Sequence, residues 1–123
     1  MLHTASFYQH QYWVGAPFRV SRLHPRGQKV QWQSLPFFYP SAELVKALRS
    51  GKVDFEFFSR SYRALLEERY AANDLMKRWV AEAPGLGDFT LLCFERDNAP
   101  CHRRVLARWL KEKDPELELG RLR

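Results

Sequence analysis

The sequence predicts a small α/β domain, a mostly parallel β-sheet flanked by helices with elements in the approximate order β-β-α-α-β-α-β. Three observations carry this. Phe89-Thr90-Leu91-Leu92-Cys93-Phe94 is a nearly continuous apolar run, as suits a strand covered on both faces. A helical pattern follows it, with Val105, Leu106, Trp109 and Leu110 on one side, and leads to a last alternating segment; a helix between two strands is the mark of a parallel crossover. Two β-rich runs near the start precede two helical stretches in the middle. At 123 residues there is room for one domain, residues 1–123, and 46% hydrophobic residues supply one core without a disulfide or structural metal.

Taken in order, Thr4 to Gln9 is rich in β-formers and reads as a first strand. A turn at Gly15-Ala16-Pro17 leads to Phe18-Arg19-Val20-Ser21-Arg22, an alternating second strand. His24-Pro25-Arg26-Gly27 is a loop, because Pro restricts the residue before it and Gly permits tight turning. Residues 28–40 are irregular and aromatic. Ser41 caps a helix whose apolar face is Leu44, Val45, Ala47 and Leu48, and Ser50-Gly51 ends it. Asp54 caps a longer helix carrying Phe55, Phe58, Tyr62, Leu65 and Leu66; Asn73-Asp74 breaks or re-caps it before Leu75, Met76, Trp79 and Val80. Pro84-Gly85-Leu86-Gly87 stops the helix. After the apolar strand, Arg96 to Pro100 is a polar loop and Cys101 to Lys113 a helix ended by Asp114-Pro115. Glu116 to Leu119 reads as a short edge strand, and Gly120 to Arg123 as a basic tail.

No apolar run approaches the roughly 20 residues needed to span a bilayer, so no membrane partner is expected. The start, MLHTASFYQHQYW, lacks the basic and apolar regions of a secretory signal, and two cysteines do not make a disulfide framework. A reducing cytoplasm is the expectation. The net charge of +6 is uneven: residues 17–53 hold seven cations against Glu43 alone, whereas residues 54–123 hold thirteen of each sign. This asymmetry in a basic protein points to an anionic partner, a phosphate-bearing small molecule or a nucleic acid. Arg outnumbers Lys fourteen to six, which suits phosphate recognition but also follows from a GC-rich genome.

The strongest chemical signal lies from Cys93 to Arg104, where the buried strand runs out and a helix begins. In open α/β sheets ligands gather beyond the carboxyl ends of strands, and a helix N-terminus there offers free N–H groups. Cys101, with its thiolate favoured by the helix, is a candidate nucleophile and His102 a candidate acid or base. Arg103 and Glu95 are candidate ligand-binding groups. Two cations at a positive helix end are unfavourable unless an anion compensates, so replacing Arg103 with Ala is expected to weaken phosphate binding and leave stability unchanged. Cys93, inside the strand, reads as core. The second candidate is the turn after the second strand, with Arg22 and Arg26 as anion ligands; alone, it reads as a solvated basic turn.

Sharper motifs fail. A tyrosine-phosphatase loop needs Arg six positions after its Cys, where Cys93 has Ala99 and Cys101 has Ala107. There is no Gly-rich phosphate loop, and no cofactor is indicated. Zinc would have to use Cys93, Cys101 and His102, with His24 as a further candidate; adjacent ligands in one helical turn point apart and a fourth is unassigned, so no metal is expected.

Together, Val20-Ser21-Arg22-Leu23-His24-Pro25-Arg26-Gly27, Tyr39-Pro40-Ser41-Ala42-Glu43-Leu44, Phe58-Ser59-Arg60-Ser61-Tyr62, Leu91-Leu92-Cys93-Phe94-Glu95 and Cys101-His102-Arg103 resemble the domain-of-unknown-function 488 family, also called YeaO-like proteins. The resemblance runs from about Arg19 to Leu110. It implies a compact α/β fold and a candidate site at Arg22, Cys93, Glu95, Cys101, His102 and Arg103, and no established activity or cofactor. Three functions stay open: a phosphate-ligand binding domain, an enzyme using Cys101 and His102 in the same pocket, and a protein-interaction domain presenting the aromatic stretch Trp32 to Tyr39.

Overall fold

The computed structural model describes residues 1–96 and 99–123; Asp97 and Asn98, inside the expected polar loop, lie outside the described residues. Five strands, all parallel, form one sheet: β1 (Leu2–Ser6), β2 (Ala16–Arg19), β3 (Gln33–Ser34), β4 (Phe89–Cys93) and β5 (Leu119–Leu122), in the spatial order β3-β2-β4-β1-β5. Among the described residues four α-helices accompany it: α1 (Ala42–Arg49), α2 (Phe55–Ala72), α3 (Asp74–Glu82) and α4 (His102–Lys113). The α/β class is the one the sequence predicts. The added strand β3 is only two residues long and pairs with Phe18 and Arg19, too short a segment to show a period.

Helix starts follow their caps. Ser41 Oγ accepts from Leu44 N at 3.1 Å, Asp54 Oδ1 from Phe57 N at 2.8 Å, and Asn73 Oδ1 from Met76 N at 3.0 Å. Each satisfies an N–H that the helix itself cannot. Asn73 thereby divides the middle helical stretch into α2 and α3.

Three strand bounds differ from expectation where a side chain or a backbone turn captures the chain. Ser6 Oγ accepts from Tyr8 N at 3.1 Å and ends β1 three residues before Gln9. Arg19 donates to the carbonyl oxygens of Ser21 and Arg22, and Ser21 Oγ to that of Leu23 at 2.6 Å, curling the chain off β2 before Arg22. Near the end, Leu117 N donates to Asp114 O at 3.0 Å, so a turn occupies the expected edge strand and β5 begins at Leu119. The segment read as a basic tail is therefore mostly strand. Gly120 leaves room there for the His3 ring, which a Cβ would push aside.

The sheet has two different coverings. All four helices contribute to the larger apolar cluster, which includes Phe18, Phe89, Leu91, Leu66, Met76 and Trp109. The smaller cluster, Ala5, Phe7, Trp32 and Leu92 with Tyr12, Trp13 and Phe94 against it, contains no α-helical residue. Side chains alternate along a strand, so Cys93 shares the helix-covered face with Phe89 and Leu91. Every residue of β4 is buried, which explains a run that is apolar apart from Thr90.

Candidate functional site

From β2 the chain moves to β3 on one side; from β4 it crosses to β5 on the other. The carboxyl ends of β2 and β4, hydrogen-bonded neighbours, flank the point where the connections diverge, the usual place for a ligand crevice in a parallel sheet. A cleft of about 660 Å³ opens there. One wall is apolar, from Val45 and Leu48 of α1 and Phe55 and Phe58 of α2. Exposed Arg22, Lys46 and Arg49 supply positive charge around it, and Ser21, Glu95, Cys101 and His102 form its polar end.

That polar end is chemically dense. Cys93 and Cys101 form a bonded pair, their sulfurs 2.14 Å apart and their Cα atoms 7.7 Å apart. Glu95 Oε2 lies 3.0 Å from Cys93 Sγ and 3.1 Å from Cys101 Sγ. His102 donates Nε2–H to Val20 O at 2.8 Å, tying the start of α4 to the exit of β2. A carbonyl can only accept, so this bond leaves the Nδ1 lone pair free, 3.9 Å from Cys101 Sγ. Burial against Phe58 and Tyr62 holds the imidazole neutral, its pKa lowered to about 4; the Val20 carbonyl opposes that shift and Arg103 adds to it. The buried Tyr62 hydroxyl donates to Phe38 O at 2.6 Å, and desolvation raises its pKa.

Arg103 lies beneath the cleft and is 0% exposed. Its guanidinium donates to the carbonyl oxygens of Glu95 at 2.6 Å, Arg123 at 2.7 Å and Arg96 at 3.4 Å, and lies 3.2 Å from Cys93 Sγ. Carbonyl dipoles therefore compensate the cation that the sequence reading left for a ligand anion. The expectation that Arg103→Ala spares the fold loses its basis, since removal would empty a fully buried site and take the donor from several part-buried carbonyls.

Of the candidate residues, Arg22, Glu95, Cys101 and His102 line the one cleft. Arg26, exposed on the same turn as Arg22, does not, and neither does Arg103. His24 is not among the lining residues either, and its Nδ1 lies 3.3 Å from Pro25 O. Sequence reasoning passes over two contributors, Lys46 and Arg49, which fall in the basic window without being assigned to a site. Cys93 reads as core from its strand and as a site member through the family resemblance alone. It is fully buried, yet its sulfur meets that of Cys101. The expectation that adjacent Cys101 and His102 diverge is also corrected. Cys101 is the extended N-cap, with φ −151° and ψ 143°, and His102 the first helical residue, so their side chains converge.

Compared with known protein families, the chain matches the model described as the active DUF488-N3 subclade, DUF488-N3a, over residues 4–114. No curated protein and no solved structure matches.

Proposed function

The chain belongs to the DUF488-N3a family, and on that premise we propose that its strand-end cleft binds a phosphate-bearing ligand of nucleotide size, free or at the end of a nucleic acid. The observation that supports this most is the pairing of an apolar wall with three exposed cations, Arg22, Lys46 and Arg49, around one crevice. At about 660 Å³ it falls within the range of small-molecule sites. A base or sugar would lie against Val45, Leu48, Phe55 and Phe58, and phosphate oxygens would meet the cations. The test is a thermal-shift and calorimetric screen of mononucleotides and short oligonucleotides at two salt concentrations. Binding should weaken with salt, and a Lys46→Ala, Arg49→Ala double variant should lose at least tenfold in affinity, since each charge-assisted contact is worth roughly 1.5–3 kcal/mol. A panel in which no phosphate compound stabilises the protein would sink this reading.

A second reading, favoured by the free Nδ1 of His102 beside Cys101 Sγ, makes the same pocket an enzyme. In it the reduced Cys101 thiol attacks an electrophilic centre of the bound ligand and displaces a leaving group, which receives the thiol proton by way of the His102 imidazole. The subclade's description as active is consistent with such chemistry. Selective alkylation of Cys101 at neutral pH, slowed by His102→Gln, would favour it.

A further inference from the structure

We propose that the reduced Cys93–Cys101 pair, together with His102 and Glu95, is a binding site for a thiophilic divalent cation of the zinc type. Cys93 Sγ, Cys101 Sγ and a ring nitrogen of His102 lie within 4.8 Å of one another, and all three residues are buried. Glu95 Oε2 stands close to both sulfurs, which brings the donors to four, the number a tetrahedral zinc site takes. Two thiolates and an imidazole select a soft or borderline ion over magnesium or calcium.

Two further features fit an ion. His102 has its Nε2–H pinned on Val20 O, the outer-shell bond that orients a metal-ligating imidazole and presents the opposite nitrogen. The two Cα atoms are 7.7 Å apart, beyond the roughly 4.4–6.8 Å usual between bridged cysteines. An ion with zinc–sulfur bonds of about 2.3 Å holds its sulfurs roughly 3.7 Å apart, a separation suited to a wider backbone. Arg103 Nη1, 3.2 Å from Cys93 Sγ, brings positive charge to the developing thiolate. The donors come from both sides of the loop, the end of β4 and the start of α4, so an ion would clamp these elements together. It would also take up the Cys101 lone pair, displacing the nucleophilic reading.

The experiment uses the full chain, reduced with a dithiol, freed of reductant without air and titrated with cobalt(II), then zinc. One equivalent should bind, with sulfur-to-cobalt charge transfer in the near ultraviolet and intense visible bands of tetrahedral cobalt, all abolished by zinc. Cys93→Ser and Cys101→Ser should each reduce the charge transfer and weaken binding by more than the roughly 10–100-fold typical of losing an outer-shell partner. Because either variant could unfold, circular dichroism accompanies each, and the more conservative Glu95→Gln should keep the charge transfer while lowering affinity. A wild-type protein with two titratable thiols and no cobalt–sulfur absorption overturns the proposal, as does a folded Cys101→Ser variant with undiminished affinity. The anion reading is tested separately: cobalt uptake without nucleotide binding keeps the ion site and removes only the other.

Discussion

The exits of β2 and β4 sit side by side, and each carries an arginine that sequence reading treats alike. Arg22 emerges from a turn built by Arg19 and Ser21, which bind the carbonyls around it and leave its own side chain exposed at the cleft. Arg103 emerges from α4 into the interior, where Glu95, Arg96 and Arg123 present carbonyl oxygens to it. One exit ties its turn with Arg19 and Ser21 and leaves a second arginine, Arg22, exposed at the cleft for a ligand. The other commits its arginine, Arg103, to the carbonyls themselves. The lesson is that a cation's role here depends on whether its donors are already occupied.

The contrast breaks most visibly at Arg103. Arg103→Ala should lower stability by about 3 kcal/mol or more, since it empties a fully buried side-chain site and takes the donor from several part-buried carbonyls. Urea melts would measure this. A loss below about 1 kcal/mol would erase the distinction between the two exits.

Acid sharpens the comparison next, through the bond from His102 to Val20 that joins the exits. The folded-state pKa of His102 is depressed to about 4 from 6.5, so between these values the unfolded chain holds more protons than the folded one. Stability should therefore be full above about pH 6.5, fall as the pH drops toward 4, and lose roughly 3 kcal/mol from this group. Melts in steps of pH would show the slope, and a folded His102→Gln variant should flatten it.

Arg22→Ala should do the opposite of Arg103→Ala, lowering affinity for a phosphate compound by about tenfold while moving stability less than 0.5 kcal/mol. Calorimetry and melts on the same preparation give both numbers, and a destabilised variant with full affinity would reverse the roles. Smallest of all is Arg26→Ala. This exposed neighbour lies outside the cleft lining, so about 0.5 kcal/mol or less is expected in either measurement.

How much of this the residues announce follows from how local each signal is. β4 and α4 are legible because their apolar patterns are long and their neighbours do not compete for the backbone. Strand ends are not legible, because Ser6 and Arg19 act on groups two or three residues away and nothing in composition marks which Ser or Arg will do so. The meeting of Arg22 with Cys101 and His102 follows from general rules on where parallel sheets gather side chains. The burial of Arg103 depends on acceptors from two distant stretches, and the convergence of Cys93 with Cys101 on how a loop folds back. Neither has a local pattern. Lys46 and Arg49 lie on a helix whose apolar stripe is its evident feature, and their place at the cleft depends on how α1 docks.

The position of β1 carries a consequence for the order of assembly. Among the described strands its hydrogen-bonded neighbours are β4 and β5, the last two in sequence, with Leu2 opposite both Phe89 and Leu119. As the chain leaves the ribosome, β1 and the apolar Leu2, Ala5 and Phe7 must wait for some ninety residues of synthesis before the first partner arrives. Such distant pairing slows folding and exposes an unpaired strand meanwhile. β2 reaches β3 much sooner, but that two-residue pairing cannot anchor a sheet. The arrival of β4 between β2 and β1 is thus the step that makes the sheet, and the cleft beside its carboxyl end cannot exist before it.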